Sequence, residues 1–563
     1  MQPLVLIAII FLITPLLGGL WSLLVYGNRT LLHPVLGWLE TTTYRVAGIN
    51  PAEEMTWTQY AKNVIVFNVC GFFLLFFILV FQAYLPLNPQ EFGGLSWALA
   101  INTAASFMTN TNWQAYSGET TMSYASQMLG LTVQNFLSAA TGSAVLMAFI
   151  RGLVKKTPGT IGNFWCDLVR SLVYLLLPLS ILLSLALVSQ GVVQTFSPYH
   201  TVETLESGPQ VIPVGPVASQ AAIKILGTNG GGFFNANSAH PFENPTAISN
   251  FLQMIFIIAI PAGMAYAYGL LIGSVRHAWL ILGVMTVIWF GGLIVAFLSE
   301  SLMNPVLDTS HLWEGREVRI GLLNSLSWAT ATTATSNGAV NMMHESLSPL
   351  AGGIALLNMM LGEVAFGGVG VGLCSMIMFI LLTVFLCGLM VGRTPEYKGK
   401  KLNKQDIQWI VVAILTPNIL ILFGAGIASV LPTAQTSLST FGPHGLTEIL
   451  YAFTSAAANN GSAFSGLNAD TPFYNLVLAG VMVITRLTIL IPSLALAGSF
   501  ANKKSAPISV GTLSTDNFFF AFLLFSTIMI IGGLSFFPAL SLGPIVEQLL
   551  MLKGEAFPFP GGS

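Results

Sequence analysis

Four short runs of polar but uncharged residues interrupt an otherwise apolar sequence, and their residue types are those that coordinate a cation through oxygen atoms. Each run contains threonine or serine together with asparagine, three of the four contain glycine, and none contains aspartate or glutamate. Aligned on one asparagine each, the runs are centred on Asn110, Asn229, Asn337 and Asn460. The candidate cation-binding residues are Thr109, Asn110, Thr111, Asn112, Gln114, Thr228, Asn229, Gly230, Gly231, Gly232, Ser336, Asn337, Gly338, Asn459, Asn460, Gly461 and Ser462.

A ring of backbone carbonyls from four such loops would replace the hydration shell of a cation, as the filters of potassium channels do. Glycine favours this geometry because it adopts positive φ without steric cost. Calcium and magnesium prefer carboxylate ligands, so the absence of acidic residues favours a monovalent ion. Any one loop could instead be an ordinary helix cap or outer turn, but four repeats of the pattern argue for a shared filter.

An apolar, helix-compatible segment precedes each polar run, at residues 95–107, 220–226, 322–333 and 446–457. These segments are too short to cross a bilayer, which takes about 20 apolar residues. Non-helical backbone at membrane depth needs protein or water around it. The repeated order of span, short helix, polar loop and span therefore predicts four re-entrant pore helices around one aqueous axis. Their C-terminal dipoles would face the bound cation.

The composition identifies the class of protein that must position these loops. The chain has 563 residues, of which 54% are hydrophobic and only 7% are charged, which excludes a soluble enzyme. The net charge of −2 provides no basic surface for nucleic acid. The four cysteines form no C-x-x-C pair, and no phosphate-binding loop or metalloprotease motif is present. We therefore predict no catalytic site and no cofactor in this chain.

Ten segments are long and apolar enough to be transmembrane helices: residues 3–26, 62–84, 127–150, 168–191, 248–272, 278–300, 371–392, 407–430, 473–498 and 517–539. If the N-terminus is outside, most of the 20 lysines and arginines lie on the cytoplasmic side, as the positive-inside rule requires. The predicted fold class is an all-α integral membrane protein with about ten transmembrane helices and four re-entrant pore helices. Both termini are predicted to lie outside.

Two charged residues, Glu363 and Arg486, stand within apolar sequence, where an ionisable group is costly and marks a functional candidate. They could face one another at a gate or tunnel, or form a structural salt bridge between two repeats. Glu363 precedes a glycine-rich stretch that should break or bend the following helix. Its glycines are Gly367, Gly368, Gly370 and Gly372.

Charged residues in the loops allow two interpretations each. The basic stretch at 392–401 is either an ordinary positive-inside loop or a docking surface for a cytoplasmic partner, with Arg393, Lys398, Lys400 and Lys401 as its candidates. His240 and His344 follow filter loops without neighbouring ligands at metal spacing and are interpreted as vestibule residues. The acids just beyond the loops could attract cations or be ordinary surface acids. They are Glu119, Glu243 and Glu345.

Long and unusual strings in these regions resemble a known family. Residues 109–114, 116–120, 226–237, 240–246, 392–397 and 459–464 closely resemble the potassium-binding subunit of the bacterial Kdp potassium-transporting ATPase, and the match runs over the whole chain. The resemblance implies membership of the superfamily of potassium transporters with four membrane–pore–membrane repeats, which also includes the Trk, Ktr and HKT proteins.

In that family, the subunit selects potassium from the outer side of the bacterial inner membrane. It passes the ion sideways through an intramembrane tunnel to a P-type ATPase subunit, which carries ATP and Mg²⁺. Two small companion subunits and membrane lipid are the other implied partners. Gln114 matches a position associated with potassium affinity, Gly230, Gly338 and Gly461 match filter glycines, and Glu363 and Arg486 match charges near the tunnel entrance.

The spans and loops divide the chain into an extra N-terminal helix and cytoplasmic loop (1–61), four repeats (62–150, 168–272, 278–392 and 407–498) and a C-terminal helix and tail (499–563). The nearest alternative function is a self-sufficient potassium channel or symporter of the Trk/Ktr type. A secondary transporter for an organic solute is less compatible with the sequence, because it should show inverted repeats and a midplane site.

Overall fold

The computed structural model describes residues 2–155, 159–206, 208–308, 312–362, 364–392, 394–504 and 513–555. Within these residues, ten helices are long and apolar enough to cross a membrane, which confirms the predicted number. In chain order, spans 1 to 10 are Gln2–Val25, Trp57–Val80, Ser126–Val154, Phe164–Ser189, Ala247–Leu271, Val275–Glu300, Val371–Met390, Lys404–Val430, Pro472–Ala501 and Phe518–Leu552. The last is longer than predicted because a π-helical segment, Ser541–Ile545, carries the helix onward without a break.

Each predicted pore helix is present. Short helices 1 to 4 are Trp97–Met108, Val217–Leu226, Leu322–Ala334 and Pro443–Ala457. A side-chain cap starts the first of them, where Ser96 accepts a hydrogen bond from the Leu99 amide. Glycine or proline stands at the start of the other three.

The predicted break in the third repeat is also present. After short helix 3, the chain forms the helix Pro349–Met360, leaves helical geometry, and resumes in span 7 at Val371. Gly370 adopts φ +80°, and a Cβ atom there would lie 2.1 Å from the Gly142 carbonyl oxygen in span 3. Glycine is therefore required both by the turn and by the close approach of two backbones.

The remaining elements are short. They comprise the α-helices His33–Ala47, Gly118–Thr121 and Pro432–Gln435, the 3₁₀ turns Gln82–Tyr84, Asn237–Ala239 and His344–Ser346, and two antiparallel hairpins, His200–Glu203 with Pro209–Ile212 and Glu396–Tyr397 with Lys400–Lys401. Helix His33–Ala47 falls in the region that we expected to be a loop. Its two buried residues, Gly37 and Glu40, lie three positions apart on one helix face, and a search for long apolar runs does not detect such a pattern.

Small residues let the spans pack closely, as is usual for helices in lipid. A Cβ atom on Gly18 of span 1 would lie 2.6 Å from the Gly263 carbonyl oxygen of span 5, and one on Gly152 of span 3 would lie 2.3 Å from the Ala497 carbonyl oxygen of span 9. These contacts join span 1 to span 5 and span 3 to span 9.

Candidate functional site

The four polar loops have one common backbone conformation. Each short helix ends in a residue of left-handed conformation, namely Asn110, Thr228, Ser336 and Asn459. The next amide donates to the carbonyl oxygen five residues earlier at 2.8–3.1 Å; the donors are Thr111, Asn229, Asn337 and Asn460. This is the Schellman arrangement that satisfies the last carbonyls of a helix.

The common hydrogen bond corrects the alignment made from residue types. Thr111, not Asn110, is the counterpart of Asn229, Asn337 and Asn460, so the first loop was aligned one residue too early. The error has a simple origin, because residues 109–112 alternate threonine and asparagine and both registers place an asparagine near the centre. Backbone hydrogen bonding decides between them.

Carbonyl groups at this level converge on one axis. A Cβ atom on Gly230 would lie 2.7 Å from the Thr111 oxygen, 3.0 Å from the Asn460 oxygen and 3.2 Å from the Asn337 oxygen. The three equivalent residues of the other loops thus direct their carbonyls toward the second loop. Gly338 and Gly461 also leave no space for a side chain, because a Cβ atom on either would lie 2.0 Å from a neighbouring loop's carbonyl oxygen.

Hydrogen bonds join neighbouring loops into a closed ring. Asn110 Nδ2 donates to the Thr228 carbonyl at 2.8 Å, and Asn337 Nδ2 donates to the Ile225 carbonyl at 3.4 Å. Ser336 Oγ donates to the Asn459 carbonyl at 2.8 Å, and Asn459 Nδ2 donates to Thr111 Oγ1 at 3.0 Å. The ring therefore includes a contact from each loop to the next and holds the carbonyls at a fixed spacing.

The Gln114 side chain forms a further link between the first and second loops. Its Oε1 accepts from the Gly232 amide at 3.0 Å and its Nε2 donates to the Gly232 carbonyl at 3.0 Å, so one side chain pairs with both backbone groups of one residue. Nε2 also lies 3.1 Å from the Tyr116 hydroxyl. Gln114 thus holds the first loop to the second.

Two polar residues of span 3 form hydrogen bonds with the first loop, and the sequence analysis did not identify them as part of the site. Ser138 Oγ donates to Asn110 Oδ1 at 2.7 Å, and Asn135 Oδ1 accepts from Asn112 Nδ2 at 2.5 Å. The available signal was two polar residues three positions apart in an apolar span, which places both on one helix face.

A buried ion pair stands behind the second loop. Lys224 and Glu243 are 1% and 0% exposed at the side chain, and Lys224 Nζ lies 2.5 Å from Glu243 Oε2. Nζ also donates to the Gly231 carbonyl at 3.1 Å, and Glu243 Oε1 accepts from the Phe234 amide at 3.0 Å. Both interpretations of Glu243 as an exposed acid are therefore wrong, because its charge is neutralised inside the protein.

Glu119, His240 and His344 contact residues that follow or support the loops. Glu119 accepts from the Asn235 amide at 2.9 Å, and the His240 ring stacks on Phe234 with 3.8 Å between centroids. His344 Nδ1 lies 2.8 Å from the Tyr451 hydroxyl, which lies 2.9 Å from Ser462 Oγ. Burial lowers the pKa of His344 to about 4, so the ring is neutral at neutral pH.

An open cavity of about 400 Å³ lies at one end of the ring. Its lining includes Gln114, Gly231, Gly338 and Gly461, and Asp470 is the one charged residue that lines it in the described part of the chain. We call this cavity the vestibule.

A backbone segment covers the opposite end of the ring. The Val369 amide donates to Thr228 Oγ1 at 2.9 Å, the Gly367 amide donates to the Ala334 carbonyl at 3.1 Å, and Gly368 lies beside Ser336. Residues 364–370 thus lie across the ends of short helices 2 and 3. We call them the crossing segment.

The predicted charges below the ring can be placed only in part. Arg486 is buried and donates to the Ser138 carbonyl at 3.2 Å. Ser138 in turn donates its hydroxyl to Asn110 of the first loop. Glu363 lies outside the described residues, so its pairing with Arg486 stays a prediction. Gly367, Gly368 and Gly370 belong to the crossing segment, and Gly372 is the second residue of span 7.

The basic stretch divides in two. Lys400 is 4% exposed, and its Nζ donates to the carbonyls of Gly152, Lys155 and Phe500 at 2.8–3.1 Å. It therefore closes the ends of spans 3 and 9 and is not presented at the surface for docking. Lys398 is half-buried, Lys401 is exposed, and Arg393 lies outside the described residues.

A polar cluster fastens short helix 4 to its surroundings. His444 Nδ1 lies 2.8 Å from Glu547 Oε1, and His444 Nε2 lies 3.6 Å from Glu345 Oε1. Glu345 also accepts from the Gly466 amide and from Ser439 Oγ. Burial alone would lower the pKa of His444, but the two carboxylates raise it to about 10.

Comparison with known proteins shows the family to which the chain belongs. The family model described as potassium-transporting ATPase A subunit matches residues 4–549. Potassium-transporting ATPase potassium-binding subunits from Leptospira interrogans and Rhodospirillum centenum are each 51% identical, over 559 and 563 residues. The match covers 99% of this chain in both cases, and 99% and 98% of the two relatives.

Among solved structures, the potassium transporter TrkH from Vibrio parahaemolyticus matches with a TM-score of 0.50 at 15% sequence identity. The match covers 87% of this chain and 98% of TrkH. At this identity, the likeness concerns the fold, and it supports the predicted all-α membrane architecture with four pore helices.

We expect Glu243→Gln to lower the free energy of unfolding by about 3–5 kcal/mol, because it leaves the buried Lys224 ammonium without its counter-charge. Thermal unfolding of the purified chain in detergent measures the loss. The matched control is Glu317→Gln, which breaks the exposed Glu317–Arg319 pair and should change stability by less than about 1 kcal/mol. The double variant Lys224→Met/Glu243→Gln should recover most of the loss. Equal stability of the two single variants would contradict the assignment.

We expect His444→Gln to destabilise the protein in a pH-dependent way. Because the folded-state pKa of His444 is raised above its ordinary value, the charged ring's contribution is complete below about pH 6.5 and is lost as the pH rises toward 10. The difference from wild type should be about 1–3 kcal/mol at pH 6 and should shrink at pH 9. Thermal unfolding at both pH values measures it, with the exposed His200→Gln as control. A difference that is independent of pH would show that the ring acts only by packing.

Proposed function

Because the chain belongs to the potassium-transporting ATPase A subunit family, we propose that it is the ion-selecting subunit of an ATP-driven potassium importer. It is a multi-pass membrane protein, and its bacterial relatives are consistent with the bacterial inner membrane. Both termini lie outside in this proposal, so that the lysine- and arginine-rich ends of the spans are cytoplasmic.

The convergence of the Thr111, Asn337 and Asn460 carbonyls beside Gly230 is the observation that carries the proposal. Carbonyl oxygens at fixed spacing replace the water around a weakly hydrated monovalent cation. No carboxylate belongs to the candidate ring residues, so the loops lack the strong negative charge that a divalent ion needs. The proposed bound ion is potassium.

The site's two ends suggest the direction of travel. Potassium would enter from the vestibule, lose water in the ring, and meet the crossing segment, whose backbone contacts Thr228 and Ala334. Straight passage is blocked there. A narrow, mainly apolar cavity lined by Met360, Leu361, Gly362 and Ala458 lies beside this point and supports a sideways exit.

ATP hydrolysis belongs to another chain in this proposal. The sequence contains no phosphate-binding loop, and the relatives are named as potassium-binding subunits of an ATPase. The proposed partners are a P-type ATPase subunit, which binds ATP and Mg²⁺, and two small companion subunits. Lys398 and Lys401, together with Arg393, are the remaining candidates for contact with them.

The observed elements support the proposed division into repeats. Span 2, short helix 1 and span 3 form the first unit, and the same order recurs with spans 4 and 5, spans 6 and 7, and spans 8 and 9. Span 1 and span 10 flank the four repeats. In the third unit, helix Pro349–Met360 and span 7 together take the place of one continuous span.

We expect the purified complex to hydrolyse ATP in response to potassium, and Gln114→Arg and Gly230→Asp to raise the half-activating potassium concentration by about tenfold or more. The first variant removes the pairing with Gly232, and the second places a side chain among three carbonyls. Gln210→Arg, the same change at an exposed position on the hairpin, should have no effect. Potassium- and rubidium-stimulated ATPase assays provide the measurement. If no ATPase copurifies and the isolated chain conducts potassium in liposomes, the protein is a self-sufficient channel instead.

We expect Asp470→Asn to slow potassium capture at low ionic strength, because Asp470 is the charged residue of the vestibule and attracts cations toward the ring. The half-activating potassium concentration should rise about two- to fivefold, with an unchanged maximal rate, and the difference should vanish in high concentrations of an inert salt. Glu203→Gln, on the exposed hairpin, is the control. A salt-independent change would instead indicate that Asp470 acts through its hydrogen bond with Asn475.

A further inference from the structure

A helix that belongs to none of the four repeats lies between spans 1 and 2. Helix His33–Ala47 has 15 residues, too few to cross a bilayer. Because span 1 ends at Val25 and span 2 begins at Trp57, both ends of this connection are held at one face of the membrane domain. We call it the connecting helix.

One face of the connecting helix is fixed to span 4. Buried Glu40 accepts hydrogen bonds from Arg170 Nε at 2.9 Å, Tyr174 hydroxyl at 2.5 Å and Tyr44 hydroxyl at 2.8 Å. His33 Nδ1 lies 3.0 Å from the same Tyr174 hydroxyl. The helix is therefore attached to span 4 at two points, seven residues apart.

These contacts also determine the depth of the helix. Arg170 and Tyr174 lie on either side of Leu172, where the uninterrupted apolar run of span 4 begins. An arginine just before such a run marks the boundary between headgroups and hydrocarbon. The connecting helix thus lies at the level of the membrane interface.

The opposite face is apolar and exposed. Val35, Trp38 and Val46 are 66%, 65% and 83% exposed, and Leu31, just before the helix, is 98% exposed. Their spacing of four, three and eight residues places them along one stripe of the helix surface. Large apolar side chains exposed at interface depth, with a tryptophan among them, are typical of helices that lie in the bilayer surface.

Positive charge borders the same stripe. Arg45 lies on the exposed face at the end of the helix, and Arg29 is exposed just before it. The one acidic residue of the helix, Glu40, points the other way and is occupied by Arg170. The exposed side therefore combines apolar side chains with two guanidinium groups, which match acyl chains and phosphate groups respectively.

We propose that the connecting helix is an interfacial anchor whose Leu31, Val35, Trp38 and Val46 enter the bilayer surface while Arg29 and Arg45 bind the phosphate groups of anionic lipids. Its rigid attachment to span 4 sets the height of the second repeat relative to the membrane. This role goes beyond the proposed potassium site and does not depend on it.

The depth of the helix can be measured with spin labels. The complex is reconstituted in bilayers of phosphatidylcholine and phosphatidylglycerol, and a label is placed at Val35→Cys or, as control, at Val202→Cys on the exposed hairpin, with exposed Cys70 replaced by serine. We expect the label at 35 to be reached by oxygen and shielded from a water-soluble nickel chelate, and the label at 202 to show the opposite. Equal nickel access at both positions would overturn the proposal, as would shielding from both reagents, which would show that a partner chain covers the face.

Lipid binding provides the second test. We expect Arg29→Gln/Arg45→Gln to reduce the enrichment of phosphatidylglycerol retained by the complex about ten- to thirtyfold, as expected for two interfacial arginines. The matched control is Lys404→Gln/Lys504→Gln, which removes two exposed charges at the start of span 8 and just after span 9. An unchanged enrichment in the arginine variant, or an equal loss in both, would overturn the assignment to the connecting helix.

Discussion

Every backbone amide and carbonyl within a membrane must find a partner inside the protein, and the architecture of the four loops follows from this requirement. The ends of the four short helices satisfy it through the same left-handed turn and the same five-residue hydrogen bond. Carbonyls of Thr111, Asn337 and Asn460 are thereby left to face the axis. In the proposed function, a bound cation takes the place of the hydrogen-bond donors that these carbonyls lack.

Polar side chains around the loops also find their partners inside the protein. Amide side chains of Asn110, Asn337 and Asn459 cross from one loop to the next, while Lys224 and Glu243 neutralise each other behind the second loop. A ring held only by its own backbone would relax around any ion. In the proposed function, these contacts hold the ring from outside and fix the spacing of its carbonyls, on which ion selectivity depends.

Much of this arrangement could be predicted from the sequence. Long apolar runs predicted all ten spans, and internal repetition predicted the four loops and their helices, because both signals are local and occur several times. The register of the first loop was wrong, since the alternation at 109–112 is compatible with two alignments. The Lys224–Glu243 pair was missed because its members lie 19 residues apart and only the packed structure shows that both are buried. The connecting helix was missed because its apolar residues are spread along one face and form no continuous run.

The ring is built from one chain, and its four quarters are different. Asn112 adopts φ +58° where the third and fourth loops have Gly338 and Gly461, and the second loop has three consecutive glycines. In a filter made from four identical subunits, one mutation changes all four quarters at once. Here one mutation changes a single quarter, so in the proposed filter the ion affinity would change in small steps, one loop at a time.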